Sequence, residues 1–418
     1  MVHFNYTLRM KFFLYWIWGV AGLLLSGGGQ AQIRTVQCYP AGSPAAEPVI
    51  EIGSGQQLAF SFDDLSADVN TYTYKIVHCD PDWNSSNLSP FTYLNGFFSN
   101  PLDNYEYSYN TQVQYTRFSL LLPNSEVSMK ISGNYLLQVY NDNNPDSAVI
   151  SQRFSVLEKK VAITPAVVNS TNPTSLYTSQ QLNFSVTYDN LQIYNPVRDV
   201  RVYVTQNQDP NTRRNFDPTF VRQNQLVYGD GTNNIFNGLS PFRNFQSTSL
   251  VYYTQYVKDV LKGPDGVYNF ILQPGSVPQR YIPLPDEDGN FYIQAENVQN
   301  QNLEADYVIV HFAILYPEPI PNAEVYVYGK FAGWGMTPAL KMSYDAKNKA
   351  YVGEAELKQG YYDYMYAVVP CSTGKVDLVT MQNNFYQTLN EYNIRFYFYD
   401  YNLMCFRFVG YQSIGAKL

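Results

Sequence analysis

The chain has 418 residues, of which 45% are hydrophobic, 16% aromatic and only 15% charged, with a formal net charge of −8. That length allows roughly two to four domains with ample core, and the acidic balance argues against nucleic acid or anionic lipid as a partner. The 39 Tyr and 25 Phe suit the pleated, half-buried faces of sheets and mark a β-rich protein.

Residues 1–31 read as a secretory signal. Arg9 and Lys11 form its positive region, Phe12–Leu25 its apolar run, and Gly29-Gln30-Ala31 the small residues before a cut ahead of Gln32. The apolar run falls short of the ~20 residues that a membrane-spanning helix needs; retention as an uncleaved anchor is the alternative. Cys38 follows Thr35-Val36-Gln37 rather than the small and apolar residues of a lipoprotein signal, which argues against a lipid anchor. The mature chain is therefore expected to be exported and soluble. In that oxidising compartment, proximity favours bridges Cys38–Cys79 and Cys371–Cys405, with buried free thiols the alternative. No CxxC or HxxxH spacing suggests zinc.

The first domain is expected over 32–157, with strands at Leu58–Phe62, Tyr72–Cys79, Phe118–Leu122, Tyr135–Tyr140 and Arg153–Val156. Turn clusters such as Pro123-Asn124 and Asn141–Pro145 separate them. In Tyr72–Cys79 the residues Tyr72, Tyr74, Ile76 and His78 share one face, and Val77 and Cys79 the other. Asp80-Pro81-Asp82-Trp83-Asn84 then breaks the strand, since proline cannot donate to a ladder. His78, Cys79 and two nearby aspartates invite a metal or catalytic reading. The register of His78 with Tyr74 and Ile76 instead makes it a hydrogen-bonded core residue, and Cys79 points away from it. A loop rich in large residues follows, carrying Phe91, Tyr93, Phe97, Phe98, Leu102 and Tyr105, before Glu106–Thr111 becomes extended again. With no convincing period of 3.6, short strands and frequent turns predict an immunoglobulin-like sandwich.

A charged step, Glu158-Lys159-Lys160, opens a second sandwich expected over 158–316. Leu182, Phe184, Val186 and Tyr188 alternate, as do Val200, Val202 and Val204. Asp286-Glu287-Asp288-Gly289-Asn290 has the look of a calcium loop but lacks the spacing and closing Glu of an EF-hand; it reads as a turn between strands. Phe291–Ala295 forms one of these, and Val308–Ile314, apolar on both faces around His311, reads as a central strand.

Pro317-Glu318-Pro319-Ile320-Pro321 reads as a stiff linker to a third domain over 317–418. Val325–Trp334, Tyr351–Leu357 and Gly360–Tyr364 are similar to the opening strands of early-set, carbohydrate-binding-type sandwiches. In some of those relatives a Trp at the position of Trp334 stacks on sugar, but here only tyrosines accompany it, and packing of Trp334 against its own sandwich is the reading adopted. The chain ends in strand-like Tyr392–Tyr399 and Cys405–Tyr411.

No GxSxG, P-loop, dinucleotide turn or zinc-protease helix occurs, and nothing points to a carboxylate-pair hydrolase. The expectation is a protein that is not an enzyme and holds no cofactor or metal.

One set of words goes beyond composition. His78-Cys79-Asp80, Asp82-Trp83, Tyr107-Ser108, Asn110-Thr111, Tyr115-Thr116 and Gly133–Leu137 follow Gln57-Leu58 and Ser61-Phe62-Asp63-Asp64-Leu65. Gln206-Asn207, Phe236-Asn237-Gly238, Phe242–Phe245 and Glu304–Tyr307 continue them. In order and spacing, over residues 33–315, they resemble the plug protein family of the bacterial type IX secretion system. Gln246 departs from the pattern, where the family usually has an acid. The resemblance implies an all-β periplasmic interaction protein that closes the periplasmic mouth of a very large outer-membrane β-barrel translocon when no substrate occupies it. Its partner would be that translocon. The aromatic loop (Phe91, Tyr93, Phe97, Phe98, Leu102 and Tyr105) is the candidate contact; the alternative is that it covers the end of the sandwich core. Other readings are an exported glycan-binding protein working through Trp334, and a periplasmic scaffold that never enters a channel.

Overall fold

The alternating aromatic and β-branched runs are strands, and strand accounts for 51% of the chain against 6% helix. The computed structural model describes residues 33–66, 70–189, 191–229 and 233–416; the signal, 1–31, and its cut lie outside them.

The first unit is a sandwich. Leu58–Asp64 lies between Ile33–Pro40 and Thr116–Leu122 in a four-stranded sheet whose far edge is Tyr105–Tyr107. Tyr72–Cys79 lies between Gly133–Asn141 and the edge strand Ser99–Pro101 in a five-stranded sheet. Alternation turns Phe60, Phe62 and Phe118 of the first sheet onto Tyr72, Tyr74 and Tyr135 of the second. Phe62 stacks on Phe118 with centroids 5.2 Å apart, and Tyr72 meets both edge-on, the arrangement that ring quadrupoles favour.

In the second unit Ser179–Thr187 sits between Ala162–Asn169 and Gln225–Tyr228, and Val200–Gln206 is central to the facing sheet. That facing sheet is completed by the end of the chain. Val200–Gln206 pairs with Glu391–Asp400, Val202 opposite Phe396, and Cys405–Gly415 follows as the edge. Tyr392, Ile394 and Phe396 are fully buried against Leu182, Phe184 and Val186. The third unit is a ten-stranded sheet folded over its own core, and it runs from Arg243–Gln246 through Gly360–Pro370.

The expected boundaries after residue 157 are therefore corrected. Residues 317–321 join two strands of one unit, Tyr307–Leu315 and Ala323–Tyr328, rather than two domains. The third unit begins near residue 243, inside the stretch assigned to the second, and the last strands return to the second. Val200–Gln206 would otherwise expose an unpaired apolar edge, which the C-terminal hairpin covers. Tyr307–Leu315 is central as expected, flanked by Ala350–Lys358 and Tyr268–Leu272, and His311 Nε2 lies 2.8 Å from Asn269 Oδ1 within it.

Candidate interaction surface

The loop after Tyr72–Cys79 is built from its turn outward. Asp80 Oδ1 accepts from the N–H groups of Asp82 and Asn84, both at 2.9 Å, which closes the turn that Pro81 starts. A four-residue helix, Pro90–Tyr93, then lays Tyr93 over the core while Lys130 Nζ donates to Phe91 O at 2.8 Å. Leu94–Gly96 pairs with Val127–Met129. Gly96 has φ +88°, and a Cβ there would meet Glu126 O at 1.8 Å, so only glycine fits this close pass.

The structure divides the six candidate contact residues. Phe91 is 83% exposed, Phe97 70%, Phe98 47% and Tyr105 44%, whereas Tyr93 and Leu102 are each only 4% exposed. Tyr93 and Leu102 pack into the core of the first unit, so they anchor the loop and cannot face a partner. That corrects their assignment. Their burial pins both ends of the segment and leaves the Phe97-Phe98 tip projecting. Tyr107 and Tyr109 extend the exposed aromatic side beyond Tyr105.

The three units are fastened together by polar groups, most of them buried and the Asp82–Arg213 pair partly exposed, that alternation alone does not reveal. Asp63, fully buried in the first unit, is 2.6 Å from Lys358 Nζ of the third and 3.1 Å from Arg117 Nη1. It also accepts from Tyr307 O–H at 2.8 Å. Burial holds the Lys358 ammonium down to about 8, opposed by the attraction of Asp63 and helped by the charge of Arg117. Nearby, Asp306 accepts from the N–H groups of Gln112 at 2.7 Å and Val113 at 3.0 Å. Asp82 joins first and second units through Arg213 at 2.8 Å and Tyr203 O–H at 3.0 Å. Burial raises the Asp82 carboxyl, but the bonds from Arg213 and Tyr203 outweigh it and leave it below the usual carboxylate range. Arg395 reaches Glu47 at 2.8 Å across the same junction, and Tyr328 O–H donates to Asp209 at 2.7 Å between third and second units. Asp63, Asp82 and Tyr307 lie inside the words that carried the family resemblance; Lys358, Arg117, Arg213 and Tyr203 have no such signal.

The other candidates are structural. His78 is buried between Tyr93 and Tyr135, with Nδ1 2.9 Å from Ser86 Oγ. Burial pushes its pKa down to about 4, so the imidazole is neutral near pH 7. The cysteines Cys38, Cys79, Cys371 and Cys405 are free thiols, Cys371 exposed and the others buried. Neither expected bridge is present: Cys371 follows Gly360–Pro370 in the third unit, while Cys405 is buried against the core of the first. Burial drives the Cys79 and Cys405 thiols up to about 11, which makes them unreactive. Trp334 is 7% exposed and packs on Tyr328 and Phe242, with centroids 5.3 and 6.3 Å away. That removes it as a platform for sugar. Residues 286–290 form a turn before Phe291–Ile293, pinned by Asp363 Oδ2 accepting from Glu287 N at 2.6 Å and Gly289 N at 3.1 Å. Among the described residues no group of His, Cys, Asp or Glu side chains could hold a metal ion.

With this geometry in place, comparison with known proteins gives two findings. The type 9 secretion system plug protein 1st domain matches residues 33–158, the first sandwich and its loop. The crystal structure of a hypothetical protein from Parabacteroides merdae ATCC 43184 is similar over 93% of this chain and 98% of its own, at 32% identity and a TM-score of 0.88. No curated protein matches.

Proposed function

We propose that this chain, which belongs to the plug protein family of the type IX secretion system, is a non-enzymatic periplasmic plug that occludes the periplasmic mouth of the outer-membrane translocon when no substrate is loaded. The observation that carries this reading is the buried fastening of the sandwiches, with Asp63 and Lys358 2.6 Å apart and both fully buried. A steric stopper must hold one shape, and an ion pair sealed between units fixes their relative placement, because any slip that keeps the interface closed leaves a buried charge without its partner. The loop of the first unit supplies exposed aromatic anchors, Phe91, Phe97, Phe98 and Tyr105, with the exposed carboxylates of Asp103 and Glu106 beside Tyr105.

The reading is tested by capture. A tagged chain, purified from detergent-solubilised outer membranes, should bring down a very large β-barrel protein. Recovery of the chain with soluble envelope proteins alone, in cells that contain the translocon, contradicts it and favours a scaffold.

A further inference from the structure

Sheet edges in the first unit are treated unequally. Ile33–Pro40, one edge of the four-stranded sheet, is covered by the third unit: Thr35 Oγ1 lies 2.6 Å from Tyr307 O–H, and Arg34 pairs with Glu356 at 3.4 Å. The opposite edge, Tyr105–Tyr107, is exposed at all three residues. Its ladder to Thr116–Leu122 is bracketed by Ser119 N donating to Asn104 O at 3.0 Å and Ser108 N donating to Tyr115 O at 2.9 Å. In an antiparallel ladder, main-chain direction alternates. Residues 104, 106 and 108 therefore face the sheet, and Tyr105 and Tyr107 turn their N–H and C=O groups outward. Natural edges are blunted by shortness, charge, proline or a covering loop; Tyr105–Tyr107 is short and carries Glu106, but it has no proline, and all three of its residues are exposed among the described residues.

The charged residues carried by the segment that holds the edge have one sign. Between Ile76 and Thr116 the sequence contains Asp80, Asp82, Asp103 and Glu106 and no Lys or Arg. Asp80 and Asp82 are used in the turn and the unit junction, but Asp103 and Glu106 are exposed beside the edge. Arg117, directly opposite Glu106 in register, is turned inward to Asp63 at 3.1 Å and Ser61 at 2.8 Å, while the Glu106 carboxylate stays exposed. The rings of Tyr105 and Tyr107 stand 5.8 Å apart on the same side, a surface that takes cationic side chains on its faces.

The geometry points to Tyr105–Tyr107 as an addition edge that receives an extended, Lys/Arg-bearing strand from the periplasmic side of the translocon. The identity of that partner rests on the plug reading; the edge and its charge do not. The added strand bonds the outward groups of Tyr105 and Tyr107, and its alternate residues lie over the two rings and beside Asp103 and Glu106. An edge of three residues offers few main-chain bonds, so the attachment is short and releasable, as a displaceable plug requires.

The test uses the full chain in cells that make the translocon. The photocrosslinker p-benzoyl-phenylalanine is placed at Tyr107 and, as a control on an exposed loop of the third unit, at Tyr252. Separately, Tyr107→Pro removes an outward N–H without touching the ladder, and Asp103→Lys with Glu106→Lys reverses the charge. The expected result is a crosslink from position 107, and not from 252, to a barrel peptide that contains Lys or Arg. Barrel capture should fall about tenfold or more in both variants with their melting temperatures unchanged. If wild-type chain captures the barrel while position 107 stays unlinked, links to a peptide without basic residues, or the folded variants capture undiminished, the edge assignment is overturned and the plug reading stands. If the wild-type chain captures no barrel at all, both fall. Should a variant not fold, the crosslinking arm decides alone.

Discussion

Lys358 Nζ and Asp63 Oδ2 are 2.6 Å apart, with both side chains at 0% exposure and a separation of 295 positions in sequence. The pair joins the first sandwich to the third, and removing one partner leaves the other charge buried without compensation. Asp63→Asn and Lys358→Met should each destabilise the protein by about 3–5 kcal/mol. Chemical denaturation checks this. Loss of under about 1 kcal/mol for either, the value of a surface pair, would mean that the network is wet and the units are not fastened there.

Leu102 and Phe97 sit five residues apart in one loop and should behave in opposite ways. Leu102→Ala, in the core, should cost about 2–5 kcal/mol. Phe97→Ser with Phe98→Ser, at the exposed tip, should change stability by no more than about 0.5 kcal/mol per site while weakening barrel capture. Thermal melting and capture, measured on the same preparations, separate the two roles.

Trp334→Ala should destabilise the third unit by about 3–5 kcal/mol, as expected for a buried aromatic, and the wild-type chain should show no saturable binding to α-glucan. Binding lost in a folded Trp334→Leu protein would restore the glycan reading that burial of this ring removes.

Stability should also depend on pH through the turn at 286–290. Burial pushes Asp288 and Asp363 up to about 7 and Asp286 up to about 6; repulsion from Asp286, Glu391, Asp363 and Glu287 adds to the effect at Asp288. A carboxyl whose pKa is higher folded than unfolded binds more protons in the folded state, so its contribution to stability is lost as pH rises from the unfolded value through the folded one. His78 works the other way: its pKa is held at about 4 by burial, so its contribution is lost as pH falls from about 6.5 toward 4. Lys330 and Lys358, held down to about 8 by burial, titrate above this range. Asp209, also pushed up to about 6 by burial, adds to the carboxyls, and His311, also lowered by burial, to the imidazoles. Four carboxyls outweigh two imidazoles, so Tm should rise on acidification from about pH 7 to about pH 5.5. Asp288→Asn should raise Tm at the upper end and flatten the dependence.

The sequence made the strands legible because alternation is a local property: Tyr72–Cys79 and Val308–Ile314 could be read residue by residue. Partnership between strands is not local. Nothing in Val200–Gln206 says that its neighbour is Glu391–Asp400, so the C-terminal hairpin was expected in the third unit, and residues 317–321 looked like a linker though they join two strands of one sheet. The loop shows the same limit. Phe91, Tyr93, Phe97, Phe98, Leu102 and Tyr105 are alike in hydrophobicity, and irregular backbone gives no period from which to tell the two that point inward. Asp63 was legible only as part of a family word, since a carboxylate in an apolar strand does not name the lysine that will bury it.

The central claim, a steric stopper for a large channel, is tested most directly by envelope permeability in a strain that lacks this protein. The chain moves no cargo in this account, so secretion should continue, while bulky antibiotics that ordinary porins exclude should enter and lower the inhibitory concentration. That sensitivity should disappear when the translocon is deleted as well. Unchanged permeability in the single deletion, with the translocon present at its normal level, would contradict the account.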